Sequence, residues 1–116
     1  VLLVNLWATW CEPCKEEMPS LDNLQMLFDK NEFVVLPINL DRGPKKKVLK
    51  FFDDFNIVNI ETFFGDKNNI PREVKILGLP VTLLINKKGF EVARLIGPTE
   101  WTDKKILEII QGEISN

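Results

Sequence analysis

Cys11 and Cys14 are the only cysteines in the chain, and they stand at a junction between two hydrophobic patterns. Before them lies the short apolar run Val1-Leu2-Leu3-Val4, which suits a buried strand. After it, Cys14, Met18, Leu21, Leu24 and Phe28 recur at helical spacing. Cys11 therefore falls where a strand ends and a helix begins. Backbone N–H groups and the aligned peptide dipoles favour an anion at a helix N-terminus, so a thiol there ionises more readily. Pro13 suits the first helical turn, where its missing N–H costs nothing. A thiolate in this place attacks a disulfide and the second thiol resolves the mixed disulfide, so the motif reads as a redox site.

Other uses of the pair need different company. Structural zinc normally takes four Cys, His or carboxylate ligands, and this chain has no histidine and no third cysteine. No metal site and no cofactor beyond a Cys11–Cys14 disulfide are expected. Copper(I) accepts two thiolates, so a copper carrier stays open as a reading of another class. Two reduced cysteines packed in a core are the structural alternative.

The length of 116 residues suits one domain over residues 1–116. A net charge of −2 argues against nucleic acid or a strongly anionic membrane as partner. The run Lys45-Lys46-Lys47 reads as a solvated helix face. No apolar segment approaches a membrane span. The chain opens inside a hydrophobic strand without a methionine, which suggests a trimmed fragment whose signal or anchor lies upstream.

In chain order, Val1–Leu6 reads as a central strand and Pro13 to about Lys30 as a helix, kinked at Pro19. Glu17, three residues after Cys14, shares its side of that helix and is the candidate proton shuttle. Burial and a nearby thiolate would both raise its pKa. Cys11 should be exposed and Cys14 covered. Phe33–Leu40 is a second strand, with Pro37 marking an edge or an irregularity. A helix follows Pro44, with Val48, Leu49, Phe52 and Phe55 in helical register, then a short extended segment around Glu61–Phe64. Another helix starts at Ile70-Pro71, turns Val74 and Leu77 inward and ends at Gly78. Thr82–Asn86 and Glu91–Ile96 form a hairpin about Lys87-Lys88-Gly89. Thr102 caps a last helix with Ile106, Leu107, Ile110 and Ile114 on one stripe. Trp101 reads as a core anchor, and Trp10, beside Cys11, as part of a docking surface. The pattern predicts an α/β domain with a mixed sheet and helices on both faces.

The segment Trp7-Ala8-Thr9-Trp10-Cys11-Glu12-Pro13-Cys14-Lys15 resembles the active-site segment of the TlpA/ResA/DsbE family of thioredoxin-like thiol-disulfide oxidoreductases. The resemblance continues through Glu17-Met18-Pro19, Gly78-Leu79-Pro80-Val81-Thr82 and Leu84-Ile85-Asn86, covering nearly the whole chain. Ile96-Gly97-Pro98-Thr99-Glu100-Trp101 is similar to the same region of α-proteobacterial TlpA. The resemblance implies a thioredoxin-like fold with a TlpA-type central insertion between Leu40 and Leu79. It implies a cis Leu79–Pro80 bond against the cysteines, with the Leu79 backbone open to an extended partner. Glu17 matches the family's active-site glutamate. Thioredoxins proper carry a buried aspartate where this chain has Asn5, so Glu17 is left to serve the buried thiol.

The roles then expected are Cys11 as nucleophile, Cys14 as resolving thiol and Glu17 as acid/base. Trp10, Glu12, Pro13, Leu79 and Pro80 form the substrate-facing set. Glu12 also opposes the Cys11 thiolate and makes the couple more reducing. The resemblance implies a monomeric periplasmic reductase, tethered to the inner membrane by an upstream segment and fed by a membrane electron donor. Its partners would be cysteine pairs in copper-delivery or cytochrome oxidase assembly proteins, or alternatively apocytochrome c.

Overall fold

The strand that leads into the cysteines is central to the sheet. In the computed structural model, which describes residues 1–116, β1 (Leu2–Trp7) is hydrogen-bonded on both sides. It runs parallel to β2 (Val34–Asn39) and antiparallel to β4 (Val81–Ile85). A two-residue β3 (Phe63–Phe64) extends the β2 side and β5 (Glu91–Ile96) the β4 side, giving the order β3-β2-β1-β4-β5. Four helices complete the fold: α1 (Glu12–Met26), α2 (Lys45–Asp54), α3 (Ile70–Val74) and α4 (Lys104–Ser115). This is the mixed-sheet α/β architecture expected.

Strand alternation divides β1 between two environments. Leu3 and Trp7 join Met18, Leu21 and Leu24 of α1, Val48, Phe51 and Phe52 of α2, and Ile110 and Ile114 of α4 in one core. Trp7 carries much of it, with ring centroids 5.5 Å from Phe51 and 5.7 Å from Phe52. On the other face α3 lies over Ile38. A Cβ added at Gly65 would come 2.5 Å from Ile70 Cδ1 and 2.6 Å from Ile38 Cγ2, so only glycine fits between helix and strand there. Leu2, Val4 and Leu36 on that face stay half-buried. Helices thus occupy both faces unequally.

Several local expectations are corrected. α1 ends at Met26 instead of about Lys30, and it continues through Pro19, whose exposed ring leaves the Lys15 carbonyl without its helical partner on the solvent side. Pro37 is tolerated because β3 pairs with β2 only at Ile38 and Asn39. Phe51, not Leu49 or Phe55, completes the buried stripe of α2: positions 48, 51 and 52 share a face, whereas Leu49 and Phe55 are exposed. α3 stops at Val74, because Lys75 turns left-handed at φ 60°, and Leu77 is fully exposed instead of facing inward. Asp103, not Thr102, caps α4 by accepting from Lys105 N. Thr102 is turned to Glu100 instead.

The central insertion consists of α2 and β3, adding a parallel strand outside β2. Two polar ties fasten it. Trp7 Nε1 donates to Thr62 Oγ1 at 3.2 Å. Buried Asp22 of α1 accepts from Asn59 N at 2.7 Å and Asn59 Nδ2 at 3.1 Å. A buried donor deprived of its acceptor costs about 1–3 kcal/mol. Asp22→Ala should therefore lower stability by about 2 kcal/mol and speed amide exchange selectively between Ile57 and Glu61. Unchanged exchange in that segment would show that the insertion is held by its aromatic packing alone.

Candidate active site

At the carboxyl end of β1 the chain makes a tight turn, closed by Cys11 N donating to Ala8 O at 3.2 Å. The turn is tied to the neighbouring strand. Thr9 donates its backbone N–H to Asp41 Oδ1 at 2.7 Å and its hydroxyl to Asp41 Oδ2. Asp41 is held in turn by Asn39, whose Nδ2 donates to Oδ1 at 3.2 Å and whose Oδ1 accepts from Asp41 N at 2.9 Å. Asp41 is not among the site residues expected from the sequence. Its place at the carboxyl end of a strand beside β1 was the available signal, since ligand sites in α/β sheets gather there.

Cys11 then caps α1, its Sγ accepting from Cys14 N at 3.3 Å. The two cysteines form a disulfide with their Cα atoms 5.3 Å apart. Cys11 is 5% exposed and Cys14 0%, which keeps the expected order but corrects the expectation of an open Cys11. As the N-cap its side chain folds back over the first turn and is nearly covered. The helix N-terminus that would steady a thiolate is therefore in contact with the sulfur.

Glu17 lies behind the pair, 3% exposed. Trp101 Nε1 donates to its Oε1, and Trp101 N donates to Ser20 Oγ at 3.2 Å, which fixes the indole over α1. Trp101 is thus buried as expected, and it also orients the carboxylate, a role the sequence did not reveal. Glu17 Oε2 has no hydrogen-bond partner, nor has the Oδ1 of buried Asn5. Asn5 Nδ2 donates to Thr82 Oγ1, its neighbour across β4, at 2.9 Å. Burial raises the Glu17 pKa from 4.5 to about 7 against the opposing pull of the Trp101 N–H. The Asn5 amide, whose Nδ2 has a second N–H besides the one given to Thr82, acts in the same sense as Trp101 and less strongly.

The residues expected to face a substrate divide into two groups. Trp10, 68% exposed, and half-buried Leu79 line one groove of about 420 Å³ beside the Cys11 turn. The Leu79–Pro80 bond is cis, and neither backbone polar group of Leu79 is hydrogen-bonded. Pro80 is buried outside the groove lining. Glu12 and Pro13 are exposed on the first turn of α1, also outside it. Glu12 is not a free charge beside Cys11: its Oε1 lies 2.8 Å from Lys15 Nζ. That surface pair, worth about 1 kcal/mol at most, tempers its repulsion of a thiolate. No cluster of three or more His, Cys, Asp or Glu is gathered to hold a metal, and Cys11 and Cys14 are the only thiols in the chain.

The raised pKa has a consequence for stability. Between about pH 4.5 and 7 the folded protein keeps a proton that the unfolded chain has released, so stability falls as pH rises through this window. The shift is worth on the order of 3 kcal/mol. Glu17→Gln is uncharged at every pH and escapes the loss. Urea unfolding of the oxidised proteins should show the variant gaining up to about 3 kcal/mol over the parent between pH 4 and pH 8. A difference independent of pH would mean that Glu17 titrates as an ordinary surface carboxylate.

Comparison with known proteins agrees with this geometry. The family model for Redoxin matches residues 1–110. The thioredoxin-like protein YneN of Bacillus subtilis (strain 168) is 33% identical over 92 residues, covering 76% of this chain and 51% of that protein. The thiol-disulfide oxidoreductase ResA of Geobacillus kaustophilus (strain HTA426) is 32% identical over 98 residues, covering 84% and 55%. The chain therefore spans about half the length of these curated relatives. Among solved structures, a Chlorobium tepidum protein described as a thiol:disulfide interchange protein of the DsbE kind superposes with a TM-score of 0.82. The identity there is 25%, over 98% of this chain and 79% of that one. With its thioredoxin-like fold and the paired cysteines at the start of α1, the chain belongs to the Redoxin family.

Proposed function

We propose that this domain is a thiol-disulfide oxidoreductase that works as a reductase of protein disulfides. One observation carries the reading: Cys11 and Cys14 pair at the N-terminus of α1 with the buried carboxyl of Glu17 behind them. In the reduced protein the Cys11 thiolate attacks one sulfur of the partner's disulfide, forming an intermolecular S–S bond and releasing the partner's other sulfur as a thiolate. Cys14 then gives its proton to Glu17 and attacks Cys11 Sγ. The intermolecular bond breaks, the partner leaves with both sulfurs reduced, and the Cys11–Cys14 disulfide holds the two electrons' worth of oxidation. A carboxyl with a pKa of about 7 is near half ionised at neutral pH, so it can take that proton and return it in the next cycle.

The partners we propose are extracytoplasmic proteins whose cysteine pairs must be reduced before they receive copper or haem. The likeness of Gly97–Trp101 to α-proteobacterial TlpA supports the copper-delivery and cytochrome oxidase branch. The ResA and DsbE descriptions of matched proteins support the apocytochrome c branch. Action in the periplasm, beside a membrane electron donor, follows from the same resemblance. No helix of the chain is long and apolar enough to cross a membrane.

The reading is tested with cysteine variants. Cys14→Ser should trap a stable mixed disulfide with a disulfide substrate such as insulin, and Cys11→Ser should trap none. The parent should reduce insulin when supplied with a dithiol. Equal trapping by the two variants would reverse the assignment of roles. Tight stoichiometric copper(I) binding without insulin reduction would replace the reductase by a copper carrier.

A further inference from the structure

The groove beside Cys11 has an asymmetry that the disulfide chemistry does not require. Its lining combines large apolar side chains, among them Trp10, Leu77 and Leu79, with three cations. Those cations are Arg42, Lys47 and Lys67. Asp41 is the one acidic residue in the lining, and its carboxylate accepts hydrogen bonds from Thr9 and Asn39. The neighbouring carboxylate of Asp66 accepts from Asn68 and Asn69 and stays charged, its pKa held below the usual value first by those backbone N–H groups. None of the three cations is ion-paired: the salt bridges of the molecule are Glu12–Lys15, Lys50–Asp54 and Glu91–Arg94. Lys67 Nζ donates to the Asp41 carbonyl and acts electrostatically on the Asp66 carboxylate, while Arg42 Nη2 donates to Asn68 Oδ1, a neutral acceptor that leaves the guanidinium charge without a partner. The whole chain has a net charge of −2, so this positive wall is a local construction.

Exposure marks the same place. Leu77 is fully exposed and Trp10 is 68% exposed, two large apolar side chains left in water on the rim of the groove. Between them and Pro80, the N–H and C=O of Leu79 are unbonded and suited to pair with an extended backbone. An extended segment passing Leu79 would have apolar side chains against Trp10 and Leu77 and would bring its flanking side chains to Arg42, Lys47 and Lys67. Carboxylates complete that match and added cations oppose it.

We propose that the groove selects disulfide partners whose reactive cysteine is flanked by acidic side chains, with Arg42, Lys47 and Lys67 as specificity-determining residues. The proposal rests on the reductase reading and assigns that reaction its substrate class, an acidic extended segment of a protein. Long-range attraction steers encounter, so the effect falls on the rate of mixed-disulfide formation and weakens with salt.

Two disulfide-bridged peptides test it, identical except that Asp and Glu flank the cysteine in one and Asn and Gln in the other. Second-order rate constants for their reduction by the reduced protein are measured at low salt and at about 0.5 M NaCl, where charges are screened within a few ångströms. The readout is the acidic-to-neutral ratio within each protein, so a general loss of activity divides out. The parent ratio should be on the order of tenfold at low salt and fall toward unity in high salt. It should also collapse in Arg42→Gln/Lys47→Gln, and fall in Lys67→Gln, whose thermal midpoint is followed because Lys67 also touches the Asp41 carbonyl. Equal rates for both peptides in the parent, or a preference that survives the substitutions, would overturn the groove proposal while leaving the reductase reading in place. Failure of the parent to reduce either peptide would overturn the reductase reading, and the groove proposal with it.

Discussion

Everything that this site does depends on where the central strand lets go of the chain. β1 is bonded on both sides along its length, so the position and direction of its last residue are fixed by the sheet. The next four residues inherit that precision through Asp41, which grips both polar groups of Thr9. Cys11 is thereby delivered to the N-terminus of α1 with little freedom, and the aligned helix dipole reaches its sulfur without further movement. A sulfur held this way is reactive because the backbone around it has already been ordered on folding.

Two glutamates on one helix show how burial, and not residue type, sets a role. Glu12 is on the exposed face and paired with Lys15, where water and the ammonium keep its influence small. Glu17 is one and a half turns later on the covered face, under the Trp101 indole, with one oxygen bonded and the other bare. The bare oxygen is costly when charged and comfortable when protonated. This is the condition for a group that exchanges a proton with a neighbouring thiol. Asn5 fills the central-strand position below it without adding a second charge, so the thiol has a single carboxyl to answer to.

What could be read from the sequence was whatever is fixed by short spacing. The strand before the cysteines, the helix after them and the position of Glu17 on the side of Cys14 follow from local periodicity, and all are found. The family likeness supplied the cis bond before Pro80 and the insertion, neither of which has a local signature. What escaped were contacts between residues far apart in sequence. Trp101 meets Glu17 across 84 residues and Asp41 meets Thr9 across 32, and nothing in either stretch announces its partner. Leu77 was misplaced for another reason. Helical spacing made it inward-facing, but the left-handed Lys75 ends α3 first, and hydrophobic period means nothing once the helix has stopped.

The sheet's outer strands bear on how the molecule keeps its company. β3 is only two residues long, too short to template another chain. β5 is a full six residues and mostly exposed, but it carries Glu91 and Arg94, whose side chains bond each other at 2.8 Å. A strand laid along β5 would meet that charged pair, whereas a strand arriving at Leu79 meets backbone groups that nothing else in the fold bonds. The fold thus sets charge along its one long edge and keeps unclaimed backbone groups in the groove beside the turn that carries the cysteines.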